Sequence, residues 1–186
     1  CYEFKGGTGT SSRVVDIDGQ RFTMGALVQA NHGLRPWLTV AGTRVGEVMT
    51  EDRILDMVTE RGSIIVILGT DLPLSPGQLE RLARRAAIGI GRGGTPGGNN
   101  SGDIFLAFST ANEMPLPQLS GPWRQMTVLN DEELDPVYLA AVEAVEEAVL
   151  NALCAADDTP LARSAAGICR AIDTQQLKRT LGLSEG

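Results

Sequence analysis

Gly62-Ser63-Ile64-Ile65-Val66-Ile67-Leu68 is the stretch on which the fold turns. Four of its five apolar residues are β-branched, which predicts a strand buried on both faces, with a glycine and a hydroxyl at its entrance. Upstream, Thr50-Glu51-Asp52-Arg53 through Glu60-Arg61-Gly62 is charged and ends in glycine, which predicts a surface connector. Further upstream, Ser12–Val15, Phe22–Val28 and Trp37–Val40 read as short strands of an antiparallel sheet. Turns are expected at Asp16-Ile17-Asp18-Gly19 and at His32-Gly33; the first suits a hairpin rather than a calcium loop, since the later acidic ligands are missing.

Downstream of the central strand, helix punctuation is complete. Ser75 is placed as N-cap, Pro76 as the first helical residue and Gln78 as the partner in a capping box. Leu79, Leu82, Ala83, Ala86, Ala87 and Ile90 then recur on one face, leaving Arg81, Arg84 and Arg85 wet, until Gly91 and Gly93 end the helix. A glycine-rich loop over 93–102 leads to a second core strand, Asp103–Phe108. Asp135-Pro136 starts a second helix reaching about Cys154, and a third is expected over Thr174–Leu181. Strands followed by strand, helix, strand and helix predict an α+β fold with helices layered on sheet.

Composition narrows the function. The 186 residues carry 16 Lys and Arg against 23 Asp and Glu, a formal charge of −7, the wrong sign for a nucleic-acid partner. No apolar run approaches the roughly 18 residues of a membrane span, so a soluble chain without nucleic-acid or membrane partners is expected. Three cysteines without a C-x-x-C pair and one histidine, His32, argue against a disulfide framework or a zinc site. The glycine clusters lack the P-loop order of glycine and lysine, so no cofactor or metal is expected. A Ser-His-Asp triad would have to use His32, no G-x-S-x-G elbow precedes a serine, and His32 reads as a turn residue.

What remains is Gly62-Ser63 at a loop-to-strand boundary. A serine hydroxyl needs a base. If the bond before it is cut, the serine's own α-amine, with an ordinary pKa of about 7.7–8.0, can serve. Equally, Ser63 can be a hydroxyl that caps a strand after a turn, and the spacing alone leaves both readings open.

The ordered runs Phe4-Lys5-Gly6-Gly7-Thr8-Gly9-Thr10-Ser11-Ser12-Arg13, Val28-Gln29-Ala30-Asn31-His32-Gly33, Gly62-Ser63-Ile64-Ile65-Val66, Gln78-Leu79-Glu80-Arg81-Leu82-Ala83-Arg84-Arg85 and Asn100-Ser101-Gly102-Asp103 resemble the DmpA family of self-processing L-aminopeptidase/D-amidases and β-peptidyl aminopeptidases. The resemblance implies the C-terminal part of an αββα sandwich like that of N-terminal-nucleophile hydrolases. It also implies a precursor cleaved between Gly62 and Ser63, and release of N-terminal amino acids from peptides, amides or esters. By this resemblance Ser63 is the nucleophile and Asn31 the oxyanion donor. Ser101 is a hydrogen-bonding neighbour, and Asp103 stands where members often carry a glutamate.

Residues 1–62 then correspond to the end of an α-subunit region and 63–186 to a β-subunit region, both within one structural domain. The N-terminal half of the precursor is expected as a separate or removed chain, and the assembly as a homo-oligomer. A cytoplasmic location is expected, or a periplasmic one if a signal peptide was lost with the N-terminal segment. Three alternatives remain open: Cys1 as the nucleophile through its own amine and thiolate, an acyltransferase of related fold, and a non-catalytic paralogue.

Overall fold

A computed structural model describes residues 1–53, 59–114, 121–161 and 167–183. Strands β1 (Gly7–Ile17) and β2 (Gln20–Asn31) form a hairpin whose two-residue loop, Asp18-Gly19, has positive φ at both positions. That is the turn whose twist matches the strands it joins, and Asp16 Oδ1 accepts the Gly19 N–H at 3.0 Å. A short helix α1 (Val45–Val48) precedes β3 (Ser63–Thr70), which pairs antiparallel with β2. Helix α2 (Pro76–Arg92) then crosses over to β4 (Ile104–Ser109), parallel to β3, so the sheet order is β1-β2-β3-β4. Helix α3 (Leu134–Cys154), the two-residue strands β5 (Thr159–Pro160) and β6 (Ile168–Cys169), and helix α4 (Thr174–Thr180) complete the described chain.

The capping box on α2 forms as expected. Gln78 N–H donates to Ser75 Oγ and Ser75 N–H to Gln78 Oε1. Helices α2 and α3 lie together over one face of the sheet, burying Met24, Ala26, Val28, Ile64, Val66 and Leu68 beneath Leu82, Ala86, Ala141, Val145 and Ala148. Two glycines set how closely α3 approaches the sheet and its neighbouring helix. A Cβ at Gly9 would overlap the Ala148 carbonyl, and one at Gly89 would sit 2.7 Å from Val145 Cβ. Among the described residues no helix is long and apolar enough to cross a membrane, and all three cysteines are free thiols.

Four sequence expectations need correction. Strand β3 is not buried on both faces: its residues alternate, and Ile65 is 42% exposed. With Leu27 of β2 and Ile104, Leu106 and Phe108 of β4 it makes an open apolar face, and β4 is an edge rather than a core strand. Residues Trp37–Val40 do not form a strand. Pro36, which has no N–H to give a ladder, opens a 3-10 turn over Arg35–Trp37. The backbone that follows is satisfied locally, Leu38 N–H donating to Arg35 O and Thr39 N–H to Gly93 O. The turn is anchored by the buried Arg35, which donates to the carbonyls of Tyr2, Glu3 and Met49 and which burial pushes down to about 10. Finally, the connector over 50–62 is not wholly a surface segment, since Glu60 is buried; residues 54–58 lie outside the described residues.

Candidate active site

The functional residues named from sequence converge where β2 ends and β3 begins. The β2–β3 register sets Asn31 opposite Ser63, and directly opposed residues of a sheet project from the same face. For these two it is the open face, where Asn31 is exposed and Ser63 half-buried. Gly62 packs against the Asn31 carbonyl, which a Cβ at that position would overlap. A glycine is therefore required before the serine for a steric reason that the sequence does not disclose.

The parallel pairing of β3 with β4 begins at Ile65 opposite Ile104, which delivers the loop before β4 to the start of β3. Gly102 N–H donates to Ser63 Oγ at 2.9 Å, and Asp103 Oδ1 accepts the Ile64 N–H at 3.0 Å. The Ser101 hydroxyl donates to that same Asp103 oxygen. The aspartate, a methylene shorter than glutamate, thus reaches the backbone next to the serine and fixes Ser101 at the same time. Chemically the arrangement offers a hydroxyl with one lone pair engaged by a backbone N–H and a carboxylate one residue away. It also offers a neutral amide across the ladder, a donor suited to an anion developing on a carbonyl oxygen.

His32 follows Asn31 at a turn, with Gly33 at φ +84°, yet its ring is not a solvent-facing turn side chain. It is buried, 5.1 Å from the Tyr2 ring in an edge-on arrangement, with Nδ1 3.9 Å from Cys1 Sγ. Burial pushes its pKa well below the ordinary imidazole value, against an opposing pull from Asp103, so the imidazole is neutral at pH 7. Cys1 itself is part of the buried core. No hydrogen bond among the described residues links it to Ser63, Ser101 or Asp103.

Sequence reasoning missed Glu60. It is 4% exposed, its Oε1 accepts the Gly33 N–H, and its Oε2 lies against Gly98 without a hydrogen-bond partner. The signal available was Gly98, whose missing Cβ leaves room for it. A cavity of about 340 Å³ opens on the helix side, lined by Leu38, Ile90, Val149 and Leu153 with Glu146 and Arg92 among its polar walls. None of Asn31, Ser63, Ser101 or Asp103 touches it. Among the described residues no three His, Cys, Asp or Glu side chains gather as metal ligands.

Residues 1–165 match the profile of Peptidase family S58. The chain is 46% identical over 170 residues to the beta-peptidyl aminopeptidase BapA of Sphingosinicella microcystinivorans, an alignment covering 84% of this chain and 43% of that protein. Its fold superposes at a TM-score of 0.90 and 57% identity on the L-aminopeptidase D-Ala-esterase/amidase of Ochrobactrum anthropi, described as a prototype for the serine aminopeptidases and a variant of the Ntn hydrolase fold. That match covers 97% of this chain and 49% of the other. A beta-aminopeptidase of Burkholderia sp. matches at a TM-score of 0.84 and 41% identity, over 98% of this chain and 50% of its own. The chain thus spans about half the length of the relatives it matches.

Proposed function

Since the chain belongs to Peptidase family S58 and has the fold of an N-terminal-nucleophile hydrolase, we propose that it is part of a self-processing aminopeptidase or amidohydrolase. Its precursor is cut between Gly62 and Ser63, and it releases N-terminal amino acids from peptides, amides or esters. The observation that carries the reading is Ser63 at the head of β3, its Oγ held by Gly102 N–H, opposite Asn31 and beside the Ser101–Asp103 pair.

In processing, Ser63 Oγ adds to the Gly62 carbonyl carbon, the C–N bond breaks as the hydroxyl proton passes to the nitrogen, and an ester forms. Water then hydrolyses the ester, leaving a Gly62 carboxylate and a serine with a free amine and hydroxyl. In turnover that amine takes the Oγ proton as the oxygen attacks the substrate carbonyl and returns it to the leaving nitrogen; water, giving its proton to the same amine, then cleaves the acyl-serine ester, frees the amino acid and restores the hydroxyl. The Asn31 amide donates to the tetrahedral oxyanion. Asp103, through Ile64 N–H and Ser101, keeps the head of the strand in register.

Residues 1–62 then belong to the end of one subunit region and 63–186 to the other, which begins with the nucleophile, in one domain; the shared sheet, with β2 and β3 paired along eight residues, supports a body that stays together after the cut. The remaining half of the precursor is the expected partner, in a homo-oligomer. An acidic chain with free thiols suits a reducing compartment, and a cytoplasmic location is part of the proposal.

Denaturing mass spectrometry of the complete precursor tests the reading. A chain beginning at Ser63 is expected, and Ser63→Ala is expected to stay whole and inactive. A whole, active wild type whose activity is lost in Cys1→Ala would move the nucleophile to Cys1. Cleavage without hydrolysis but with acyl transfer to an added amine would favour an acyltransferase, and a folded protein with neither property a non-catalytic paralogue.

A further inference from the structure

Glu60 touches three loops that meet at the scissile bond. It stands two residues before Gly62, accepts the N–H of Gly33 just past Asn31, and lies against Gly98. Gly98 opens the turn closed by Ser101 N–H onto its carbonyl at 2.9 Å, and the next N–H along, that of Gly102, holds Ser63 Oγ. An apolar side chain could join three loops without giving up the hydration of a charge. A carboxylate 4% exposed, with one oxygen unpartnered, therefore calls for a reason beyond packing.

Resting on the reading of Ser63 as a self-cleaving residue, we propose that Glu60 is a positioning residue for the processing step: it fastens the segment entering the bond to the loops that carry Asn31 and Ser101, and so holds the Gly62 carbonyl against Ser63 Oγ. Gly62 has no slack of its own, being pressed on the Asn31 carbonyl. Attack by a neighbouring oxygen depends steeply on such alignment, a displacement of about 1 Å costing on the order of a hundredfold. Once the bond is cut, the segment is no longer joined to the nucleophile, so the contribution of Glu60 belongs to processing far more than to turnover.

The test uses the complete precursor carrying Glu60→Ala, Glu60→Asp or Glu60→Gln, and reads two rates: appearance of the chain beginning at Ser63, and turnover per cut molecule. Alanine lacks the acceptor and aspartate is too short to hold Gly33 from the same backbone position, so both are expected to slow cleavage at least about tenfold. Glutamine keeps an acceptor oxygen and is expected to restore cleavage to within about threefold, with turnover per cut molecule within about twofold for all three. Cleavage of Glu60→Ala or Glu60→Asp at the wild-type rate overturns the proposal. So do a parallel fall of both rates, Glu60→Gln as slow as Glu60→Ala, or failure of both Glu60→Ala and Glu60→Asp to fold, any of which marks a purely structural side chain. Ser63→Ala separates the two readings. If it is still cut before residue 63, the self-cleavage reading itself falls; if it stays whole while the Glu60 variants cut normally, only the positioning role is lost.

Discussion

The two faces of the four-stranded sheet are made by alternate residues of the same strands and have opposite fates. On one face Val28, Ile64, Val66 and Leu68 are sealed beneath α2 and α3, and the side chains are apolar and closely fitted. On the other, Ile65, Ile104, Leu106 and Phe108 are 42–57% exposed, and Asn31 and Ser63 stand at one end of the same surface. An apolar patch of that kind marks a surface made to be covered. The chain also spans only about half of its relatives. On the function proposed above, the helix side carries stability, while the open side carries the chemistry and the join to the remaining polypeptide.

The largest expected effect contrasts one residue from each face in the complete enzyme. Asn31→Ala removes an exposed amide at the edge of the open face, and kcat is expected to fall by about 10²–10³ with the thermal midpoint unchanged. Leu68→Ala empties a fully buried site under the helices and is expected to destabilise by about 2–5 kcal/mol while leaving kcat of the folded fraction intact. Urea unfolding and steady-state kinetics on both variants would break the division of labour if Asn31→Ala unfolded the protein or left kcat untouched.

A second measurement sharpens the comparison. Leu106 is 53% exposed here, and a solvated side chain replaced by alanine usually changes stability by no more than about 0.5 kcal/mol. If the rest of the polypeptide covers the open face, Leu106→Ala in the complete protein is expected to cost about 2 kcal/mol or more, as a core leucine does. A surface-like value in denaturant unfolding would mean that this strand stays open.

The covered face was also the more legible one. Helix α2 could be read from Ser75, Pro76 and Gln78 together with a 3.6-residue apolar repeat, and the first hairpin from Asp18-Gly19, because both signals are local. Trp37–Val40 was misread because the deciding facts are distant: Arg35 is buried among carbonyls of residues 2, 3 and 49. The run Ile64–Leu68 looked buried on both sides because the open face is as apolar as the sealed one. At the candidate site, Ser63 and Asn31 were singled out through family resemblance, since Gly62-Ser63 by itself favours a strand cap. The links of Asp103 to Ile64 and of Gly102 to Ser63 depend on the parallel register of β3 and β4, which no local pattern encodes. Glu60 was hidden because a charged residue in a charged segment is ordinarily solvated.

The smallest expected effect is a displacement of the pH profile, and it asks whether the open face is electrostatically coupled to the loop that feeds it. If the Ser63 amine is the base, kcat/KM rises with pH as that amine loses its proton. Removing water from around the amine disfavours the ammonium and moves this limb down, whereas an ionised carboxylate nearby favours the ammonium and moves it up. Asp103 is held 3.0 Å from the nitrogen of Ile64, the residue next to the amine, close enough for the second influence to act. Asp103→Asn keeps an oxygen for the Ile64 N–H and removes the charge, so the ammonium loses its stabilisation and the limb is expected at lower pH. Ser101→Ala leaves the charge in place and is expected to lower kcat with a smaller displacement. His32 confuses neither profile in the neutral range, since burial holds its pKa well below the ordinary imidazole value. Profiles of kcat/KM for the three proteins decide the matter: a limb unmoved in Asp103→Asn would confine that carboxylate to holding backbone and Ser101 in register.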